Sequence, residues 1–480
     1  MTDNNFEAVI GLEIHAQVAS KSKMFCKCSS DAFNAEPNQN TCPICMGFPG
    51  QLPVTNIEAV NKGIQASLAL KCVVPEYSKF DRKNYFYPDL PKGYQISQFD
   101  EPLAVNGKID ININNELKTI RITRLHLEDD AGKLTHVKNG TLCDYNRSGI
   151  PLMEIVSEPD IKSAEEAGTY ARAMQSILRY VDASHADMEK GMMRFDASVS
   201  IRKKGENVLN KRAEIKNLNS FKSLEAAIDY EISRQIELYE ESGRPLEKDI
   251  TVGWNDSKQK TYFMREKEGS DDYRYFPEPD LPPVIVKSDF IDKIKTSLPE
   301  LPHEKKQRYI ADIGMSEADA ALLSADKNMA TFYEEVAKNT GEEKKTSSFI
   351  ANIVVALLNK NGVNIENCKL NAESLAKLLN MVYEGKISMN TAKGEVIEEM
   401  FETGSDPEKI VEEKSLSQMS DTGELEQICD DVVKENVNVI EDYKNGKEQA
   451  FFFLVGQVMK KTKGQANAKV AQEILKKLIS

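Results

Sequence analysis

The stretch that decides the fold is residues 9–18, which read Val-Ile-Gly-Leu-Glu-Ile-His-Ala-Gln-Val. Side chains alternate between the two faces of a β-strand. One face of this strand is therefore wholly apolar, while the other presents Glu13, His15 and Gln17. A strand that buries one face and offers a carboxylate beside an imidazole on the other is typical of metal and acid–base sites. Taken alone, the stretch fits an ordinary half-exposed strand equally well.

Four later segments alternate in the same way, each with an apolar face and a face rich in charges of both signs. They cover residues 120–128, 152–156, 193–202 and 212–216. In the first of them Glu128 lies on the polar face, and in the second Glu154 lies between apolar neighbours. Five strands with one pattern predict a sheet that lines a shared polar cleft. A solvated sheet surface is the alternative.

The composition is that of a globular protein. The chain has 480 residues, of which 40% are hydrophobic and 29% charged, and roughly three domains are expected at about 150 residues each. We find no apolar run long enough to cross a membrane, and the first residues lack the basic and apolar regions of a signal peptide. We therefore expect a cytoplasmic protein. The net charge of −14 does not indicate a nucleic-acid partner, although local charge can differ from the total.

Helical patterns accompany and follow the strands. Ser163 and Ser220 are candidate N-caps of two helices in the strand-rich part, and Gly243 is placed to end the second. Strand alternation gives way to helical periodicity beyond about residue 299. The helices predicted across the chain cover residues 163–182, 221–241, 349–360, 372–383, 450–461 and 468–479.

Charge is distributed unevenly along the helical part. Residues 401–442 hold thirteen Asp or Glu against three Lys, whereas residues 443–480 hold eight Lys against two Glu. A compact helical unit with a net charge of +6 at the end of an acidic chain suggests contact with a polyanion. The alternative is a solvated helical surface without a partner.

Four of the eight cysteines form two close pairs, Cys-x-Cys followed by Cys-Pro-Ile-Cys. They are Cys26, Cys28, Cys42 and Cys45. This spacing predicts a zinc knuckle over residues 26–45. Reduced thiols or two disulfides are the alternatives, and disulfides are disfavoured in a chain without export signals. A zinc ion held by four thiolates has no open position, so this Zn²⁺ would be structural.

Several common nucleotide and hydrolase motifs are absent from the sequence. It contains no P-loop, no Gly-x-Gly-x-x-Gly and no Gly-x-Ser-x-Gly. Carboxylates on separate strands suit Mg²⁺, which is completed by water and substrate phosphates. We therefore expect a metal-bound nucleotide on the sheet, as in a kinase or ligase. An imidazole ligand such as His15 is unusual for Mg²⁺ and would also suit Mn²⁺ or Zn²⁺.

Aromatic and basic residues interleave over residues 79–98. Lys79, Arg82, Lys83 and Tyr87 are the candidates for binding a nucleotide or the acceptor end of an RNA, because rings stack on bases and cations meet phosphates. A loop whose rings pack into the core is the alternative.

Six motifs go beyond general patterns. They read Ile-Gly-Leu-Glu-Ile-His (10–15), Lys-Phe-Asp-Arg-Lys-Asn-Tyr-Phe-Tyr-Pro-Asp (79–89), Arg-Leu-His-Leu-Glu-Asp-Asp-Ala-Gly-Lys (124–133), Asp-Tyr-Asn-Arg-Ser-Gly-Ile-Pro-Leu-Met-Glu (144–154), Gly-Ser-Asp-Asp-Tyr-Arg-Tyr-Phe-Pro-Glu-Pro-Asp (269–280) and Val-Gly-Gln-Val-Met-Lys (455–460). Together they resemble the B subunits of the aspartyl/glutamyl-tRNA(Asn/Gln) amidotransferases, the GatB family, over nearly the whole chain.

The resemblance implies an α+β protein in three parts. A catalytic cradle with an antiparallel sheet like that of glutamine synthetase would cover residues 1–295 and include the zinc knuckle. A helical domain would cover residues 296–410. A small helical, YqeY-like tail that binds tRNA would cover residues 411–480. Within it, the candidates for tRNA contact are Lys460, Lys461 and Lys463.

The resemblance also implies a reaction and its partners. ATP would phosphorylate the side-chain carboxylate of Glu on tRNA(Gln), or of Asp on tRNA(Asn), and ammonia would displace the phosphate. A glutaminase A subunit would supply ammonia through a channel, and a small C subunit would clasp A and B together. The enzyme would be a carbon–nitrogen ligase with glutamine as amido donor. The alternative is a non-catalytic, zinc-containing scaffold that binds tRNA.

The resemblance assigns roles to four residues of the polar strand faces. His15, Glu128 and Glu154 would hold the metal ion. Glu13 would bind a second ion or orient the ammonia or the nucleotide. All four are expected to be catalytic residues.

Overall fold

The computed structural model describes residues 5–114, 116–266, 270–417, 422–444, 447–462 and 466–479. The chain divides into two compact units, Met1–Leu301 and Pro302–Ser480. The first unit has one hydrophobic core, and the second has two, over residues 309–411 and 425–479. The predicted domain boundaries near residues 295 and 410 stay predictions.

The first unit is built around one large sheet. The unit also has smaller sheets. In chain order, the strands of all its sheets are β1 (Phe6–Gln17), β2 (Tyr77–Ser78), β3 (Asp81–Asn84), β4 (Tyr94–Ser97), β5 (Ala104–Ile113), β6 (Glu116–Asp129), β7 (Lys133–Val137), β8 (Gly140–Asp144), β9 (Pro151–Ser157), β10 (Met193–Lys203), β11 (Ala213–Leu218), β12 (Ile250–Asn255), β13 (Lys260–Glu266), β14 (Phe276–Pro277) and β15 (Val284–Ile285). The large sheet has the order β13-β12-β11-β10-β1-β9-β6-β5. Each of the five predicted strands corresponds to one of its strands.

Helices pack on the apolar side of this sheet. They are α1 (Ile57–Ala69), α2 (Ala164–Tyr180), α3 (Phe221–Ser242) and α4 (Ser288–Ser297). The first unit also has a 3₁₀ turn at Ser270–Tyr273. Ser163 and Ser220 cap α2 and α3 as predicted, since each side chain accepts a hydrogen bond from a backbone N–H of the first turn. Gly243 ends α3 with a φ of 72°, a left-handed conformation that favours glycine.

One pair of strands departs from the expected antiparallel arrangement. β11 and β12 are parallel, whereas the other neighbouring pairs of the large sheet are antiparallel. Parallel neighbours need a long crossover connection, and α3 lies between β11 and β12 in the chain. The sheet is therefore mixed.

Strand β1 lies at the centre of the sheet, between β10 and β9. Its alternate residues Ile10, Leu12 and Ile14 are at most 1% exposed, which confirms the predicted apolar face. The register places His15 opposite Arg194 on one side and opposite Glu154 on the other. Pairing register decides which side chains meet, so β1 brings residues distant in sequence to one point.

The second unit is helical in its described residues, which confirms the predicted α+β class. Its helices are α5 (Pro302–Ala311), α6 (Glu317–Ser324), α7 (Lys327–Thr340), α8 (Glu343–Phe349), α9 (Val355–Asn361), α10 (Ala372–Tyr383), α11 (Met389–Thr391), α12 (Ile397–Thr403), α13 (Pro407–Glu413), α14 (Thr422–Glu435), α15 (Val437–Lys444), α16 (Glu448–Lys461) and α17 (Ala468–Ile479). π-helical turns at Ile350–Val354 and Ala392–Val396 and a 3₁₀ turn at Ile365–Asn367 connect some of them. Within the described parts of the chain, no helix combines the length and apolar composition of a membrane span.

The helix predicted over residues 349–360 begins too late. The helical run starts at Glu343, and the hydroxyl of Ser347, expected just before the helix, instead donates to the carbonyl of Lys344. Serine makes such bonds inside a helix as well as at its start, which explains the error. The helix predicted over residues 372–383 coincides with α10, and Asn371 caps it.

The core face of β1 yields a stability prediction. Replacing buried Ile10 with alanine leaves a cavity under the central strand, and we expect a loss of about 2–5 kcal/mol in the free energy of unfolding. Urea unfolding followed by fluorescence of Trp254, the chain's one tryptophan and part of this core, measures it. The control Ile57→Ala, at a site 69% exposed, should change the free energy by about 0.5 kcal/mol or less. Equal losses in the two variants would contradict the core assignment.

Candidate functional site

A row of ionisable side chains crosses the polar face of the large sheet. The strand register places four of them opposite one another, namely Arg194 on β10, His15 on β1, Glu154 on β9 and His126 on β6. Glu13 and Glu128 lie two residues along from His15 and His126, and so on the same face. The sheet therefore gathers all four residues that the resemblance assigned to catalysis.

His15 is the centre of this cluster. Its Nε2 lies 3.5 Å from Glu13 Oε1, 3.5 Å from Glu154 Oε2 and 3.9 Å from Glu128 Oε1. One ligand atom from each of His15, Glu128 and Glu154 lies within 4.8 Å of the other two. Two carboxylates and one imidazole at this spacing form a donor set that fits a divalent cation such as Mg²⁺ or Mn²⁺.

The three candidate ligands are buried, and apolar core residues lie behind them. His15, Glu128 and Glu154 are 8%, 2% and 5% exposed. The apolar neighbours in sequence point into the core behind them, where Ile14 and Ile155 are fully buried. Buried charges are costly unless opposite charge compensates them, so such a cluster needs positive charge among its carboxylates.

His126 supplies part of that charge, and the sequence pattern alone did not single it out. Its Nε2 lies 3.2 Å from Glu154 Oε2 and 3.5 Å from Glu128 Oε2. Burial lowers the pKa of His126, but the two carboxylates outweigh burial and raise it to about 9. Its position two residues before Glu128 on one strand face was the signal that could have found it.

The carboxyl groups of the cluster differ in their proton affinity. Burial raises the pKa of Glu154, but the neighbouring His126 and His15 bring it well below its usual value. The pKa of Glu13 is raised to about 7, first by burial and then by repulsion from Glu154. The cluster thus joins an ionised ligand to a carboxyl group that titrates near neutral pH.

A second group of possible ligands shares His15. Ligand atoms of Glu13, His15 and Asp196 also lie within 4.8 Å of one another. Lys216 Nζ already lies 2.7 Å from Asp196 Oδ2, so a second cation there would compete with an ammonium group. The pairing of β1 with β10 places Asp196 opposite Glu13.

Two cavities border the cluster. The larger, about 770 Å³, is lined by Glu13, Glu154 and His126, with several basic residues. These are Lys83, Arg124, Lys211, Arg212, Lys216 and Arg265. The smaller, about 310 Å³, is lined by His15 and Glu128 and by further acidic and basic residues, among them Asp130, Arg194 and Lys216. Glu13, Lys83 and Lys216 line both cavities, so the cluster lies between two spaces lined by charges of both signs.

The four candidate loop residues have different surroundings. Burial lowers the pKa of the Lys83 ammonium, but the nearby Glu128 carboxylate raises it overall, which places Lys83 beside the cluster. Its Nζ lies 5.0 Å from the centre of the Tyr273 ring, and it lines both cavities. Lys79 is paired with two aspartates, and Arg82 donates two hydrogen bonds of 2.7 Å to Glu278. Tyr87 is exposed and lines neither cavity. Of the four, only Lys83 is therefore placed at the cluster.

The four paired cysteines come together. One sulfur atom from each lies within 4.8 Å of the others, and Cys42 Sγ and Cys45 Sγ are 3.9 Å apart. Four sulfurs bound to one Zn²⁺ at 2.3 Å lie about 3.8 Å from one another. All eight cysteines fall within the described residues and are free. The donor set and spacing fit structural zinc.

Two of the three lysines predicted to touch tRNA, Lys460 and Lys461, lie at the end of α16. Lys460 is exposed. Lys461 Nζ lies 2.7 Å from Glu435 Oε1 on α14. Lys463 lies outside the described residues. The structure therefore presents Lys460 to solvent at this helix end.

The raised pKa of His126 predicts a pH dependence of stability in the metal-free chain. The folded state holds this proton with a pKa of about 9, against 6.5 for an unperturbed histidine. The stabilisation is therefore full below about pH 6.5 and is lost as the pH rises through about 9. In urea unfolding with a chelator present, His126→Gln should reduce this loss in the free energy of unfolding as the pH rises. His136→Gln, at an exposed site, should show the same loss as the unsubstituted chain. An unchanged decline in the His126 variant would contradict the ion cluster.

Comparison with known proteins identifies the family of the chain. The model of the GatB/GatE catalytic domain matches residues 8–292, and that of the GatB domain matches residues 331–479. The B subunit of the aspartyl/glutamyl-tRNA(Asn/Gln) amidotransferase of Carboxydothermus hydrogenoformans is 48% identical over 476 residues, 98% of both chains. Its counterpart in Brevibacillus brevis is 45% identical over 481 residues, 99% of this chain and 100% of the relative. The chain therefore belongs to the family of B subunits of the aspartyl/glutamyl-tRNA(Asn/Gln) amidotransferases.

Proposed function

We propose that this chain is the catalytic subunit that activates the side-chain carboxylate of a mischarged aminoacyl-tRNA with ATP and then directs its amidation. The substrates are Glu-tRNA(Gln) and Asp-tRNA(Asn), and the products Gln-tRNA(Gln) and Asn-tRNA(Asn) serve translation. The observation that carries the proposal is the buried cluster of His15, Glu128 and Glu154 beside a cavity of about 770 Å³. Membership in the amidotransferase family supplies the reaction class.

Amidation requires activation because a carboxylate is a poor electrophile whose oxygen is a poor leaving group. Phosphorylation of one carboxylate oxygen creates a good leaving group, and ammonia then attacks the carbonyl carbon and releases phosphate. His15, Glu128 and Glu154 would hold the divalent cation, Mg²⁺ or Mn²⁺. When bound, that cation supplies positive charge that neutralises the phosphates and orients the γ-phosphoryl group.

The larger cavity suits a nucleotide in both size and charge. Its volume lies within the usual range of about 300–1,000 Å³ for small-molecule sites. Basic residues such as Arg124, Arg212 and Arg265 line it, and guanidinium groups bind phosphate oxygens in pairs of hydrogen bonds. Lys83 lines the same cavity and faces the cluster. We therefore assign the triphosphate to the space between these cations and Glu154.

Glu13 is suited to take part in the amide-forming step. A nitrogen that attacks as neutral ammonia must lose a proton before the product is a neutral amide. A carboxyl group with a pKa of about 7 accepts such a proton efficiently at neutral pH. Glu13 lines both cavities, so it is placed where activated substrate and ammonia would meet.

The remaining parts of the assembly follow from this division of labour. The sequence motifs include no glutaminase nucleophile, so we assign ammonia release to an A subunit and the clasping of A and B to a small C subunit. The four-cysteine knuckle would carry a structural Zn²⁺. The assembly as a whole works as a ligase in the cytoplasm. The basic helix end with Lys460 and Lys461 contacts the tRNA backbone, together with Lys463.

Loss of one metal ligand tests the catalytic assignment. Glu128→Gln keeps size and hydrogen bonding but removes a charge from the ligand set, so ATP-dependent transamidation by the reconstituted complex should fall by about 100-fold or more. The measurement is Gln-tRNA(Gln) formed from Glu-tRNA(Gln), with ATP hydrolysis followed in parallel. Glu116→Gln, an exposed residue at the start of the same strand, should keep full activity.

Full activity of Glu128→Gln would show that the ligand assignment is wrong. ATP hydrolysis that does not depend on this chain at all would favour the scaffold alternative, in which the chain only binds tRNA.

Charge at the basic helix end tests the tRNA contact. The double variant Lys460→Gln/Lys461→Gln should weaken tRNA binding and lower the salt dependence of log K by about one for each phosphate that the protein no longer neutralises. ATP binding should not change. Lys434→Gln, which removes an exposed charge from α14, serves as the control. A double variant with unchanged tRNA affinity across a salt series would exclude this contact.

A further inference from the structure

Lys23 is buried beside the zinc knuckle, with 0% of its surface exposed. Its ammonium donates a hydrogen bond to the Tyr145 carbonyl oxygen at 3.1 Å and lies 3.8 Å from Cys45 Sγ. No carboxylate among the described residues forms an ion pair with it. A buried ammonium without a neighbouring negative charge is strongly unfavourable. The fold therefore needs a source of negative charge next to Lys23.

The metal-loaded knuckle is such a source. Four thiolates around one Zn²⁺ leave two net negative charges on the complex. In a low-dielectric interior this charge attracts a nearby ammonium far more strongly than it would in water. Cys45 belongs to the thiolate set, and its sulfur atom accepts from the ammonium of Lys23. Each partner thus compensates the charge of the other.

We propose that Lys23 is the counter-ion of the zinc-loaded knuckle, so that zinc binding and burial of this ammonium stabilise each other. The inference rests on the proposed structural zinc and adds a positioning residue to it.

The same residue ties the knuckle to the catalytic sheet. Its ammonium reaches Tyr145, and the backbone N–H of the next residue, Met24, donates to the carbonyl of Gly149 at 2.8 Å. Residues 145–150 lead directly into β9, the strand that carries Glu154. Zinc in the knuckle therefore supports the loop that precedes one of the candidate metal ligands.

Substitution of Lys23 in the full-length chain separates charge from hydrogen bonding. Lys23→Met removes both, whereas Lys23→Gln keeps a donor for the Tyr145 carbonyl but removes the charge. Zinc affinity is measured by competition with a chromogenic chelator. Thermal unfolding of zinc-loaded and zinc-stripped protein is followed by Trp254 fluorescence. Lys27→Met, an exposed lysine within the knuckle, is the matched control.

We expect both Lys23 variants to bind zinc about 10–100-fold more weakly than the unsubstituted chain, the usual effect of losing a partner of a metal ligand. The rise in unfolding temperature caused by zinc should also shrink in both, because the zinc-stripped variants no longer bury an uncompensated ammonium. Lys27→Met should keep its zinc affinity within about twofold, since an exposed charge is screened by solvent.

Several outcomes would overturn the proposal. Unchanged zinc affinity in both Lys23 variants would refute the counter-ion and leave the zinc site standing. Weak binding in Lys23→Met but normal binding in Lys23→Gln would assign the effect to the hydrogen bond with Tyr145. An unsubstituted chain that binds no zinc would refute both the zinc site and the counter-ion. That result would leave the proposed ATP-dependent reaction unaffected. Should Lys23→Met fail to fold, Lys23→Gln decides the question.

Discussion

The register of β1 against its two neighbours is the constraint on which the candidate site depends. It places His15 opposite Glu154 on β9 and opposite Arg194 on β10. A slip of one residue would turn His15 into the apolar core and bring Ile14 to the polar cleft. The cost of exposing Ile10, Leu12 and Ile14 prevents that slip. The buried face of the strand therefore holds the ligands in place.

Compensation of buried charge is the second theme of the molecule. Glu128 and Glu154 lie in the sheet with imidazoles at 3.2 to 3.9 Å, so the metal-free protein balances its own carboxylates. A bound cation would take over this role and would require the ligating imidazole to be free of its second proton. The buried ammonium of Lys23 is a positive charge that needs compensation, and it lies beside the cysteine cluster rather than beside carboxylates. The imidazoles compensate for a missing cation at the carboxylates, whereas a missing Zn²⁺ at the knuckle would leave the ammonium of Lys23 uncompensated.

Much of the sheet could be predicted from alternation, because a strand with one buried face leaves a period of two in the sequence. The side chains of Glu13, His15, Glu128 and Glu154 accordingly share one face. His126 and Asp196 were not predicted as site residues, since polar-face position alone does not show which strands are neighbours. Ion pairs between segments distant in sequence could not be predicted either. Arg82 was a candidate for binding a nucleotide or RNA, but in the structure its guanidinium forms an ion pair with Glu278. The parallel pair β11–β12 and the early start of α8 show the same limit, because both depend on tertiary context rather than on local pattern.

The central claim is that β1, β6 and β9 together form a nucleotide-dependent metal site. Its most direct test is the anomalous diffraction of Mn²⁺ in crystals of the assembled complex grown with a non-hydrolysable ATP analogue. The account predicts an anomalous peak within coordination distance of His15, Glu128 and Glu154, with the analogue's phosphates in the larger cavity. Manganese and analogue bound elsewhere, with these three side chains free of both, would contradict it.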